Sequence, residues 1–115
     1  MNMQVQDAEG GITHFVLEGR FDIAGAQEVD LRFSVLAGSA KALVVDLTKV
    51  SFLASIGVRT LMLSAKKMIR RGAAMAVCGA DENVEKVLRS TGFDEIVDLY
   101  PDFAAAAAAR TKPKA

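Results

Sequence analysis

The sequence predicts a single α/β domain in which helices pack against a mixed, mostly parallel β-sheet, in the order β-β-α-β-α-β-α-β. Three observations carry that prediction. Two short valine-containing runs, Lys41–Leu47 and Ala73–Cys78, are apolar almost throughout, as strands covered on both faces are. Between them, Val58, Leu61, Met62, Ala65, Met68 and Ile69 recur at helical spacing, so residues 56–71 form an amphipathic helix. A strand, helix, strand unit of this kind crosses over right-handed and leaves its two strands parallel. At 115 residues the chain is long enough to close one hydrophobic core and short for two domains.

The elements follow in order. Met3, Val5 and Ala8 alternate with polar residues, Gly10-Gly11 follow, and Ile12–Glu18 has strand composition, which together reads as a β-hairpin. Gly19-Arg20-Phe21-Asp22 breaks the strand. Asp22 is placed to cap a helix running from Ile23 to about Ala37, although Val29, Leu31, Phe33, Val35 and Leu36 make no strict stripe. Lys41–Leu47 is then the central strand, and a short turn leads into helix 56–71, which has a basic last turn and Gly72 just past its end. After the strand Ala73–Cys78, Asp81 caps a helix that carries Val84, Val87 and Leu88 on one face and ends near Gly92. Phe93–Tyr100 supplies a last extended piece. The domain is expected to span residues 1–102, with residues 103–115 an Ala-rich, low-complexity tail, helical at its start and without assigned chemistry.

Composition removes several function classes. Lys plus Arg and Asp plus Glu both number 14, so no bulk field draws the chain to nucleic acid or to an anionic membrane surface. Cys78 is the only cysteine and His14 the only histidine, which excludes an internal disulfide and the usual Cys/His zinc sites. No cofactor is called for. The N-terminus has neither the basic start nor the apolar run of a signal peptide, and no segment approaches the roughly 18 to 20 apolar residues that span a bilayer, so the expected location is the cytoplasm. His14 has no acidic or cysteine partner in its motif and is read as structural, and Cys78 as a small buried hydrophobe. Arg59, Lys66, Lys67, Arg70 and Arg71 read as a solvated face complementing the helix C-terminus, with contact to an acidic partner the minority reading. Nothing assembles a nucleophile, a base and an oxyanion donor, so the chain is not read as an enzyme.

The stretch from Val44 to Gly57 carries the chemistry. An apolar strand runs through a turn into a helix that opens with Ser55, at the positively polarised end where unpaired N–H groups favour an oxygen acceptor. A serine there either caps the helix or carries a phosphate. Gly57 costs the helix about 1 kcal/mol relative to alanine, which points to a need for close access to the backbone. Ile56 is either half-buried against a neighbouring loop or part of a docking patch.

The element order, Leu17-Glu18-Gly19-Arg20-Phe21-Asp22, the Val44–Gly57 stretch and Val87–Val97 resemble the STAS family, the sulphate transporter and anti-sigma factor antagonist domain. The resemblance covers residues 3 to about 100 and lies nearest the free-standing bacterial anti-sigma factor antagonists. It implies a partner, an anti-sigma factor that is also a serine kinase, whose sequestration frees a sigma factor. Phosphorylation by that kinase ends the binding, and a PP2C-type phosphatase resets it. The family's switch motif, Asp-Ser-Ser-Gly or Asp-Ser-Thr-Gly, falls on Ala54-Ser55-Ile56-Gly57. Ser55 then matches the phosphoacceptor, Gly57 the glycine, and Asp22 the acidic residue of a turn beside the site. Ala54 and Ile56 depart from the motif. The resemblance implies a partner-binding surface of Asp22, Ala54, Ser55, Ile56 and Gly57. A rival reading makes the chain a constitutive ligand-binding or scaffold domain of a transport or signalling assembly, with Ser55 only a helix cap.

Overall fold

The computed structural model of the chain describes residues 1–111; Lys112–Ala115, the end of the expected tail, lie outside the described residues. Strand β1 (Asn2–Ala8) passes through a 3-10 turn (Glu9–Gly11) into β2 (Ile12–Phe21), and helix α1 (Ile23–Ser39) leads to β3 (Ala42–Leu53). Helix α2 (Ser55–Arg70), β4 (Ala74–Cys78), α3 (Glu82–Ser90), a second 3-10 turn (Phe93–Glu95), β5 (Asp98–Tyr100) and α4 (Phe103–Thr111) complete it. The five strands form one sheet in the order β1-β2-β3-β4-β5, in which β1 is antiparallel to β2 and every other pair is parallel. The mixed, mostly parallel sheet read from the sequence is therefore the one observed, with β3 at its centre.

Alternation along β3 divides the molecule into layers. Leu43, Val45 and Leu47 are fully buried against the layer that holds α1, α2 and α3, with Phe15 from β2 and Val77 from β4 in the same cluster. Val44 points the other way, into a smaller cluster with Ile12, Ala76, Cys78 and Ala106 of α4. Register aligns Phe15, Val45, Val77 and Leu99 across the parallel strands, which makes one apolar row of them. Helix α1 buries Gly25, Ala26, Val29, Phe33 and Ala37, a stripe at near four-residue spacing that the alternation of Leu31 and Val35 obscures in the sequence; both of those are exposed.

Four elements depart from expectation. Strand β2 does not break at Gly19 but continues to Phe21, and β3 does not end at Leu47 but continues to Leu53. Each extension pairs with the other, through Glu18↔Lys49, Gly19↔Val50, Arg20↔Phe52 and Phe21↔Leu53, beyond the last β4 partner at Cys78↔Asp46. Register shifts on either side of Glu18 and Gly19 let the pair continue, with Gly19 at φ 115°. The segment from Phe93 is not extended at first: Gly92 at φ 78° ends α3, buried Phe93 anchors a 3-10 turn, and pairing begins at Asp98. Last, the Ala-rich segment forms α4 and packs on the sheet, with Ala106 fully buried and Asp102 capping it through a 2.8 Å bond from the Ala105 N–H.

Candidate functional site

The paired extensions of β2 and β3 bring two helix starts to one corner. The Ala54 N–H donates to the Phe21 carbonyl at 2.9 Å, so α1 and α2 leave the sheet side by side. Asp22 caps α1, its Oδ1 accepting from the Gly25 N–H at 2.9 Å, while its Oδ2 lies 3.5 Å from Arg20 Nε. That backbone N–H is the main reason the Asp22 carboxyl titrates below its usual range, with Arg20 adding to it. Arg20 in turn lies over the partly exposed ring of Phe52, 4.3 Å from its centre.

Ser55 is the first residue of α2, and the capping position belongs to Ala54, which has no side chain able to cap. The expectation of Ser55 as a possible cap is therefore corrected by one residue of helix register. Its hydroxyl has no hydrogen-bond partner among the described residues, and the residue is exposed. The Ala54 carbonyl receives the Gly57 and Val58 N–H groups at 2.9 and 3.2 Å, which leaves the N–H groups of Ser55 and Ile56 without a backbone partner.

Gly57 is corrected too. It is buried, and a β-carbon there would lie 2.8 Å from Leu53 Cδ1, 2.8 Å from Phe21 Cδ1 and 2.9 Å from the Phe21 carbonyl oxygen. The missing side chain admits β2 and β3 to the helix rather than a partner to the backbone. Ile56 is half-buried against the core and lines a shallow groove of about 310 Å³ with Ile23, Ala26, Gln27, Asp30 and Thr60. Asp22, Ala54, Ser55 and Ile56 thus lie at one surface corner, and Gly57 lies beneath it.

Away from this corner, His14 does have an acidic partner. Its Nε2 lies 2.8 Å from Asp46 Oδ2, an encounter made by β2–β3 pairing that no local motif displays. Phe103 of α4 stacks on the His14 ring at 3.8 Å. Asp46 Oδ1 also accepts from the Thr48 N–H and hydroxyl at 3.0 and 2.6 Å. Burial works to raise the Asp46 carboxyl, but the bonds from Thr48 and His14 outweigh it and hold it low. Burial pushes the Cys78 thiol up to about 12, which suits a core residue rather than a nucleophile. The basic face is exposed, as expected, and two of its residues also reach across to α1: Lys67 donates to the Ser34 carbonyl at 3.3 Å, and Arg71 to the carbonyls of Ala37 and Ala40 at 3.0 and 2.6 Å, where they satisfy the C-terminal end of α1. Among the described residues no helix is long and apolar enough to cross a membrane, and no group of three or more His, Cys, Asp or Glu side chains is placed to hold a metal ion.

Comparison with known proteins agrees with this architecture. No curated protein sequence matches the chain. Among solved structures, an anti-sigma factor antagonist from Mycobacterium paratuberculosis is 28% identical with a TM-score of 0.85, covering 94% of this chain and 92% of its own. The Bacillus cell fate determinant SpoIIAA, in its phosphorylated form, shares the fold at 14% identity with a TM-score of 0.74, covering 96% and 100%. A sulfate transporter family protein from Wolinella succinogenes shares it at 18% identity with a TM-score of 0.74, covering 89% and 91%. The model of the STAS domain family matches residues 3–106, nearly the whole chain, and the chain belongs to that family.

Proposed function

We propose that this chain is an anti-sigma factor antagonist: unphosphorylated, it sequesters an anti-sigma factor serine kinase and so frees a sigma factor. The observation that carries the reading is Ser55, an exposed hydroxyl with no partner among the described residues, at the first residue of α2 and with two unpaired N–H groups beside it. A serine used only for capping would be engaged by the helix. In the switch, Ser55 Oγ bonds to the γ-phosphorus of ATP, the bond from that phosphorus to the bridging oxygen breaks, ADP leaves and the hydroxyl proton passes to the kinase. The phosphate adds about −1.5 to −2 charges to the docking corner, which the partner would have to desolvate. Asp22, Ala54, Ser55 and Ile56 are the contact residues in this reading, and Gly57 sets how closely they approach the sheet. A PP2C-type phosphatase restores the binding form. Likeness to the Mycobacterium antagonist supports the reading.

Incubation with the cognate kinase and ATP should add one phosphate to the wild type and none to Ser55→Ala, read by intact mass. Because Ser55 does not cap α2, Ser55→Ala should fold with a stability within about 0.5 kcal/mol of wild type, unlike a lost cap at about 1 kcal/mol. A second reading, a constitutive STAS domain of a transport assembly, is favoured by Ala54 and Ile56 at the switch motif and by the transporter neighbour. It predicts equal partner binding by wild type and Ser55→Asp.

A further inference from the structure

We propose that Arg59 pairs with the phosphate on Ser55; this rests on the phosphorylation reading above. Ser55 opens α2 and Arg59 follows four residues on, a spacing that puts both side chains on one helix face. The molecule already shows what that spacing does with an anion at the first position. In α3 the first residue, Glu82, pairs with Lys86 at 3.7 Å, and Glu85 pairs with Arg89 at 3.5 Å.

Helix α2 has the cationic half of such a pair and lacks the anionic half. Its sequence contains Arg59, Lys66, Lys67 and Arg70 but no Asp or Glu, and its first turn carries no acidic residue. Arg59 is exposed and has no ion-pair partner among the described residues. Arg20, another cation at this corner, is engaged by Asp22 and the Phe52 ring. A phosphate at Ser55 answers each of these at once: it complements the dipole, meets the free N–H groups and offers oxygens that match the guanidinium fork.

The test installs phosphoserine at position 55 during translation, in the wild-type background and in Arg59→Gln and Arg59→Lys, so that no kinase is needed. The second ionisation of the phosphate is followed by 31P NMR. In wild type it should lie about 0.2 to 0.4 pH units below that in Arg59→Gln, Arg59→Lys should keep most of the difference, and about 1 M salt should erase it. Superimposable titrations of wild type and Arg59→Gln would overturn the assignment. Failure of the kinase to phosphorylate Ser55 in the unmodified chain would instead defeat the phosphorylation reading and leave this measurement standing.

Discussion

A β-carbon on Gly57 would meet Phe21 and Leu53 at 2.8 Å, closer than side chains tolerate, so replacing it forces α2 away from β2 and β3. Gly57→Ala gains about 1 kcal/mol of helix propensity and loses more to overpacking, for a net cost of about 1 to 2 kcal/mol in urea unfolding. An unchanged or raised midpoint would show that the corner can relax. The sequence shows the glycine but not its reason, because Phe21 reaches it from a distant strand. Caps are legible where they are local: Asp22 and Asp81 each accept from the N–H three residues on, as their positions predict. Asp46 illustrates the opposite case, since its bonds to Thr48 are local while its bond to His14 crosses strands. Its carboxyl is held below 3.8 in the folded chain, so the unfolded chain binds the extra proton first and stability is lost as pH falls through that region. Asp46→Asn should flatten this acid limb, measured as urea midpoints between neutral pH and about pH 3; an unaltered slope would assign the acid loss to other carboxylates.

At the scale of elements, the strands that compose the central sheet were readable from their valine-rich runs, and the amphipathic α2 from its spacing. What escaped was the length of β2 and β3, because Gly19 and the polar stretch Thr48–Ser51 look like turns until each strand supplies the other's partner. Helix α4 was legible as a helix but not as part of the fold: alanines show little pattern of burial, and its contacts to the sheet, among them buried Ala106, half-buried Ala107 and the stack of Phe103 on His14, reach strands distant in the sequence. A short Ala-rich helix is marginal alone, so α4 should detach more readily than the sheet unfolds. Cys78 lies in the cluster beneath it and reports that opening. Phe103→Ala should raise the rate at which a thiol reagent labels Cys78 by about tenfold, for a lost contact of about 1.4 kcal/mol, while the global urea midpoint moves less. Equal labelling rates would mean that Cys78 is reached only by global unfolding.

For the whole molecule, the mostly parallel sheet follows from local pattern plus the crossover rule, whereas the corner that holds Asp22 and Ser55 exists only because two strand ends converge. That convergence also decides how the proposed switch would act. Helix α2 is fixed along its length by Val58, Leu61, Ala65 and Met68, all buried in one cluster with Phe21 and Leu53. A charge at Ser55 sits on the exposed rim of that packing and has no packed neighbour to displace. It should therefore alter the surface and leave the fold as it is. Ser55→Glu places an anion at the favourable end of α2, four residues from Arg59, and should keep the melting temperature level or raise it by a few degrees. Backbone NMR shifts should change only around Asp22 and from Ala54 to Thr60. If the corner docks on an anti-sigma factor kinase as proposed, affinity should fall by about thirtyfold or more, because desolvating a charge that the partner surface does not answer costs about 2 kcal/mol or more. If calorimetric titration gives Ser55→Glu the wild-type affinity, the corner is not the docking surface; if shifts spread into β4 and α3, the switch acts through the fold after all.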